Sequence, residues 1–92
     1  MARVTIRLPS LLEHAAGGKR SVLLDAATIE EALAVLIDSC PGLRTHLFDE
    51  RGRMREHVLC FHNKTNTRWL GSLAEPLLDG DELTILQAVT GG

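Results

Sequence analysis

Gly91 and Gly92, which close the sequence behind a predicted strand, are the residues best placed for chemistry, and that chemistry would be done to them rather than by them. A carboxylate with no Cβ on either of its last two residues can enter a narrow slot in another protein. There it can take backbone angles that other residues resist. It is a poor electrophile until a partner converts it to an acyl-adenylate or a similar activated form. The reaction would then take place at Gly92, in another protein's active site. The alternative is an inert, frayed terminus.

Other reactive side chains form no constellation. His14, His46, His57 and His62 do not pair with Cys, His or a carboxylate at ligand spacing on one helix, and an odd separation puts His57 and His62 on opposite faces of a regular strand. Cys40 and Cys60 are too few and too far apart for a zinc site and read as buried small hydrophobes rather than a disulfide. No metal site is expected. Gly17-Gly18-Lys19 precedes a strand, whereas a phosphate-binding loop would open a helix. Ser10, Ser21, Ser39 and Ser72 show no nucleophile–base pairing, so hydrolysis has no support and no catalytic residue is expected. The charged stretch from Arg51 to His57 reads as a solvated loop.

Composition narrows the setting. The chain has 92 residues, enough for one domain over 1–92 and too few for two. Its 45% apolar and 24% charged residues are an ordinary globular balance. Ten Lys and Arg against twelve Asp and Glu offer no basic field for nucleic acid, and two Phe, one Trp and no Tyr offer few stacking platforms. Apolar stretches fall short of the roughly 20 residues of a membrane span, and Met1 to Pro9 lacks a secretory signal's apolar run. A cytoplasmic protein with neither nucleic-acid nor membrane partners is expected.

The elements that must position the tail follow from periodicity. Ala2, Val4, Ile6 and Leu8 alternate with Arg3, Thr5 and Arg7, a half-buried strand ended by Pro9-Ser10. Leu11 to Ala16 suits a short helical turn, and Ser21 to Leu24 supplies a second strand antiparallel to the first, with Asp25 to Ala27 as its exit. Thr28-Ile29-Glu30-Glu31 is a capping box with acidic residues at a helix N-terminus. Ile29, Ala32, Leu33, Leu36 and Ile37 give one apolar face, continued by Cys40 and stopped by Pro41-Gly42. Leu47 and Phe48 are core anchors before an exposed turn at Asp49 to Gly52. A third strand around Val58 to Phe61 has apolar residues on both faces, and Asn63 to Asn66 reads as a turn into a short strand near Thr67 to Leu70. Leu73 to Leu78 lies on the core edge, and Asp79-Gly80-Asp81 turns into a last strand, Glu82 to Leu86. Strands at both ends of a central helix predict an α+β fold, a mixed sheet of four to five strands wrapped around one main helix, with the first and last strands parallel at its centre. This is the β-grasp arrangement.

On these residues the chain resembles the ThiS/MoaD-like sulfur carrier proteins, ubiquitin-like β-grasp domains ending in Gly-Gly. The similarity is carried by Asp79-Gly80-Asp81-Glu82-Leu83-Thr84-Ile85-Leu86-Gln87-Ala88-Val89-Thr90-Gly91-Gly92, an acidic-Gly-Asp turn, an aliphatic strand and an apolar step into the di-glycine. Gln87 stands where a proline is frequent, and Asn63 after Phe61-His62 resembles the family's strand-end asparagine. The resemblance implies a carrier, not an enzyme. It binds no cofactor itself; a ThiF/MoeB-like activating enzyme would use ATP to adenylate the Gly92 carboxylate. A sulfurtransferase persulfide, or sulfide, would then displace AMP to leave a thiocarboxylate, and a biosynthetic enzyme would accept the sulfur. Val89, Thr90, Gly91 and Gly92 would form a flexible tail entering the partner's active site. Leu86 is a candidate partner contact, or else a core residue. The rival readings are a ubiquitin-like modifier conjugated through Gly92 and a plain interaction domain.

Overall fold

A computed structural model of the protein describes residues 1–67 and 73–87. Its frame is one five-stranded mixed sheet with strand order β2-β1-β5-β3-β4, formed by β1 (Ala2–Arg7), β2 (Ser21–Ala26), β3 (Val58–His62), β4 (Thr65–Asn66) and β5 (Glu82–Gln87). Helix α1 (Ile29–Ser39) covers one face.

The capped helix forms as its sequence predicts. Thr28 Oγ1 accepts from the Glu31 N–H at 3.1 Å, while Glu31 Oε1 reaches back one residue further than a strict capping box, to the Ala27 N–H at 3.1 Å. Ile29, Ala32, Leu33 and Leu36 are buried, and they meet Val4 and Ile6 of β1, Leu83 and Ile85 of β5, and Val58 and Cys60 of β3 in one core. Cys40 closes the helix and stays buried, whereas Ile37 and Phe48 are only partly buried.

β1 and β5 are parallel at the sheet centre, with Thr5, Ile6 and Arg7 beside Glu82, Leu83 and Thr84. Such a pair requires the long crossover that the helix and the segment after it supply. In that segment a 3-10 turn at Pro41–Leu43 runs into a four-residue helix, α2 (Arg44–Leu47). Gly42 is needed there because a Cβ would lie 2.8 Å from the Ala15 carbonyl oxygen. The turn after Phe48 is held by Asp49, whose Oδ1 accepts from the Arg51 and Arg53 N–H groups; the Arg53 bond, foremost, holds its carboxyl below the usual range.

Two boundaries differ from expectation. β2 continues through Asp25 and Ala26 rather than ending at Leu24, because those residues pair with Arg3 and Ala2 and Arg3 Nε bonds Asp25 Oδ1 at 2.8 Å. The turn after β3 takes only Asn63 and Lys64, so that β4 begins at Thr65 and not near Thr67; Asn63 makes this possible by adopting a left-handed φ of 55°. The rest of the expected strand, 68–70, lies outside the described residues, as does the expected tail, Val89 to Gly92.

Candidate functional site: the open sheet face and the start of β5

β5 alternates cleanly. Leu83 and Ile85 are fully buried against α1, so Glu82, Thr84 and Leu86 must point to the opposite, uncovered face. Leu86 is 42% exposed, which decides between its two readings in favour of the surface. Across the antiparallel β3–β5 pair, Leu86 faces Leu59 and Thr84 faces Phe61, both half-buried. The result is a small apolar patch of Leu59, Phe61 and Leu86 immediately before the chain passes Gln87. Toward β1 the same face turns polar, with Arg7 Nε and Glu82 Oε2 paired at 2.9 Å.

The start of β5 is fixed by a clasp between the Asp79–Asp81 turn and the end of β3. Gly80 sits at φ 89° and donates its N–H to the Arg3 carbonyl, while Asp79 Oδ1 accepts from the Arg3 N–H at 2.8 Å. Asp81 Oδ2 accepts from His62 Nε2 at 2.7 Å and from the Leu78 N–H at 2.9 Å, and its Oδ1 accepts from Asn63 Nδ2 at 3.2 Å. Because a carboxylate only accepts, Nε2 of His62 carries the proton. Asn63 completes the clasp by exchanging bonds with Glu82, its Oδ1 accepting from the Glu82 N–H and its own N–H donating to the Glu82 carbonyl. These donors, the Leu78 N–H foremost and then His62, hold the Asp81 carboxyl below its ordinary value. The chemistry is structural: the clasp sets the register of β5 between β1 and β3, and thereby where the chain leaves the sheet.

Sequence reasoning missed the His62–Asp81 pair. Its partners are 19 residues apart on different elements, and only the strand-end asparagine and the acidic turn hinted that this corner is built. Among the described residues the other histidines join no such group. Among the described residues no three His, Cys, Asp or Glu side chains could hold a metal ion. Both cysteines are free and buried; burial raises the Cys60 thiol to about 11, with an opposing hydrogen bond from Thr67, so it is a protonated core residue at neutral pH. No helix of the described residues is long and apolar enough to cross a membrane.

With this geometry in place, similarity to known proteins becomes informative. The ThiS family model matches residues 6–92. The sulfur carrier protein CysO of Mycobacterium tuberculosis is 33% identical over 91 residues, covering 97% of this chain and 98% of the relative. The crystal structure of SAMP1 from Haloferax volcanii superposes with a TM-score of 0.85 at 29% identity, covering 99% of this chain and all (100%) of that one. A third match, the crystal structure of the Amycolatopsis orientalis BexX/CysO complex, has a TM-score of 0.84 at 32% identity over 97% of this chain and 99% of the matched one. These relatives are small carriers and ubiquitin-like proteins rather than catalysts. The chain has their β-grasp, ubiquitin-like fold, and it belongs to the ThiS family.

Proposed function

We propose that this protein carries sulfur as a thiocarboxylate on Gly92. The observation that bears most weight is the family match running through Gly92 in a chain similar over 97% of its length to a sulfur carrier. In this reading the Gly92 carboxylate attacks the α-phosphorus of ATP on a ThiF/MoeB-like activating enzyme, giving an acyl-adenylate and pyrophosphate. Sulfide then adds to the acyl carbon and AMP leaves, producing the thiocarboxylate. With a sulfurtransferase persulfide as donor, the acyl disulfide first formed is cleaved by a thiol. A biosynthetic enzyme finally accepts the sulfur, and the whole sequence belongs in the cytoplasm, where ATP is available.

No side chain of the carrier takes part in these steps, so its work is presentation. The adenylate supplies a good leaving group, and docking makes the transfer effectively intramolecular. Four extended residues, Val89 to Gly92, reach at most about 13–14 Å, enough to place Gly92 in an enclosed site while the folded face stays outside. Leu86, exposed at the end of β5 beside Leu59, is the residue we assign to partner contact. Ordering the tail opposes binding, so the folded face supplies most of the affinity.

Similarity to SAMP1, a small archaeal modifier protein that is 31% identical over 78 residues, supports a second reading in which Gly92 ends in an isopeptide bond to a lysine. Protein isolated from its native cells separates the two. A C-terminal thiocarboxylate, read by intact mass and by gel shift with a thiocarboxylate-reactive mercury reagent, is the carrier's signature. Conjugates with Gly92 branched onto lysine would make modification the function instead.

A further inference from the structure

β2 is an edge strand, and one without the usual protection. It lies at the end of the sheet order and pairs with β1 over six consecutive residues, without a bulge. It contains no proline and no lysine, and its one charge, Asp25, is already engaged by Arg3 at 2.8 Å. Edges of this kind are templates for a further strand. The opposite edge is different, because β4 has only two residues and follows Lys64 directly.

The ladder shows which groups are open. Leu8 donates to the Arg20 carbonyl, so in the alternating antiparallel pattern Val22, Leu24 and Ala26 are the residues bonded to β1. The N–H and C=O groups of Ser21, Leu23 and Asp25 therefore point outward, away from β1. Leu23 also places its side chain on the uncovered sheet face, 60% exposed.

We propose that β2 pairs with β2 of a second copy, antiparallel about a two-fold axis through Leu23. In this register Leu23 meets Leu23 of the other copy, each Ser21 faces an Asp25, and the three outward residues of each strand join in six main-chain hydrogen bonds. On the helix side Val22, half-buried, meets Leu24 of the other copy. The ladder ends at Asp25, because the Ala27 carbonyl already accepts from the Leu77 N–H and the Ala27 N–H bonds Glu31, and Lys19 falls diagonal to Asp25 of the other copy, a favourable cross-strand charge pair on each side of the axis. Of the two-fold registers centred on an outward residue of β2, the other two are poorer. An axis at Asp25 opposes two carboxylates, and one at Ser21 sets Leu23 against Lys19. Charge and apolar complementarity thus favour a second copy of this chain as the strand that pairs with β2.

The contact is small, which places it among transient interfaces, with Kd about 0.1–1 mM. β1 separates β2 from β5, so pairing leaves the end of β5 at Gln87 clear. The inference is independent of the sulfur chemistry. Sedimentation equilibrium and amide NMR of the full chain, taken from dilute solution to about 2 mM, test it. Weight-average mass should rise with concentration, and the Ser21, Leu23 and Asp25 amides should shift while Val22 and Leu24 move less. Leu23→Lys, at an exposed position, should keep the spectrum of the fold and weaken association at least about tenfold. Leu86→Lys should leave association unchanged. A protein that stays monomeric to about 2 mM, or association that survives Leu23→Lys or disappears with Leu86→Lys, would overturn the proposal.

Discussion

Replacing Asp81 by alanine should cost more stability than its position in a surface turn suggests. The carboxylate accepts three hydrogen bonds, at 2.7 Å from His62, 2.9 Å from the Leu78 N–H and 3.2 Å from Asn63. Hydrogen bonds to a charged group contribute roughly 1.5–3 kcal/mol each in favourable settings and only about 0.5 kcal/mol when water can replace the partner. The Leu78 and Asn63 donors lie in exposed settings and fall at the low end, whereas the His62 side chain is only 17% exposed and would lose its acceptor. The sum is about 2.5–4 kcal/mol, out of roughly 5–14 kcal/mol for a domain of this size. Thermal and urea unfolding should show it, with Tm lower by roughly 10–25 °C. Asp81→Asn keeps the shape and one acceptor and should lose less. Because the folded carboxyl lies below its ordinary value of 3.8, its contribution is fully present above that value and lost as pH falls through the depressed folded one. The stability gap between wild type and Asp81→Asn should therefore close as pH falls below 3.8. An Asp81→Ala protein within about 0.5 kcal/mol of wild type, or a gap unchanged down to about pH 2, would refute the clasp.

On the helix, Leu33→Ala should cost about 2–5 kcal/mol and Thr28→Ala about 1 kcal/mol in chemical denaturation; a wild-type midpoint for Leu33→Ala would remove the assignment of the buried face. Cys60, with its thiol near 11, should resist alkylation in the native protein at neutral pH and react after unfolding. The Cys40→Ala, Cys60→Ala double variant should still accept sulfur once folded, and its failure to do so would put the sulfur on a thiol. Leu86→Lys should change stability by no more than about 0.5 kcal/mol yet weaken binding to the activating enzyme, measured by calorimetry. Equal affinity would move the docking surface elsewhere.

Where the architecture was legible, a single physical signal was strong enough. The alternation of Ala2 to Leu8, the capped apolar face from Thr28 to Cys40 and the Gly80 turn each dictate an element locally, and the central parallel pair follows from their order. Leu86 was ambiguous because Ile85 and Leu86 are adjacent apolar residues, and only the buried Leu83 and Ile85 show which of them faces the core. The hairpin after β3 was misplaced by two residues because nothing local announces that Asn63 takes a left-handed conformation. The His62–Asp81 clasp depends on the β3–β5 register, a tertiary property invisible to spacing along the chain. The tail, Val89 to Gly92, was read from the resemblance and lies outside the described residues, so its proposed role rests on the family match and not on geometry.

Sulfur placement at Gly92 is the most direct test. Incubated with its activating enzyme, ATP and sulfide, the protein should gain the mass that replaces one oxygen by sulfur, and tandem fragmentation should place it on the terminal carboxyl. Deleting Gly92, or adding one residue after it, should abolish the gain while unfolding curves stay unchanged. Sulfur found on any other group, or full activity without Gly92, would contradict the carrier reading.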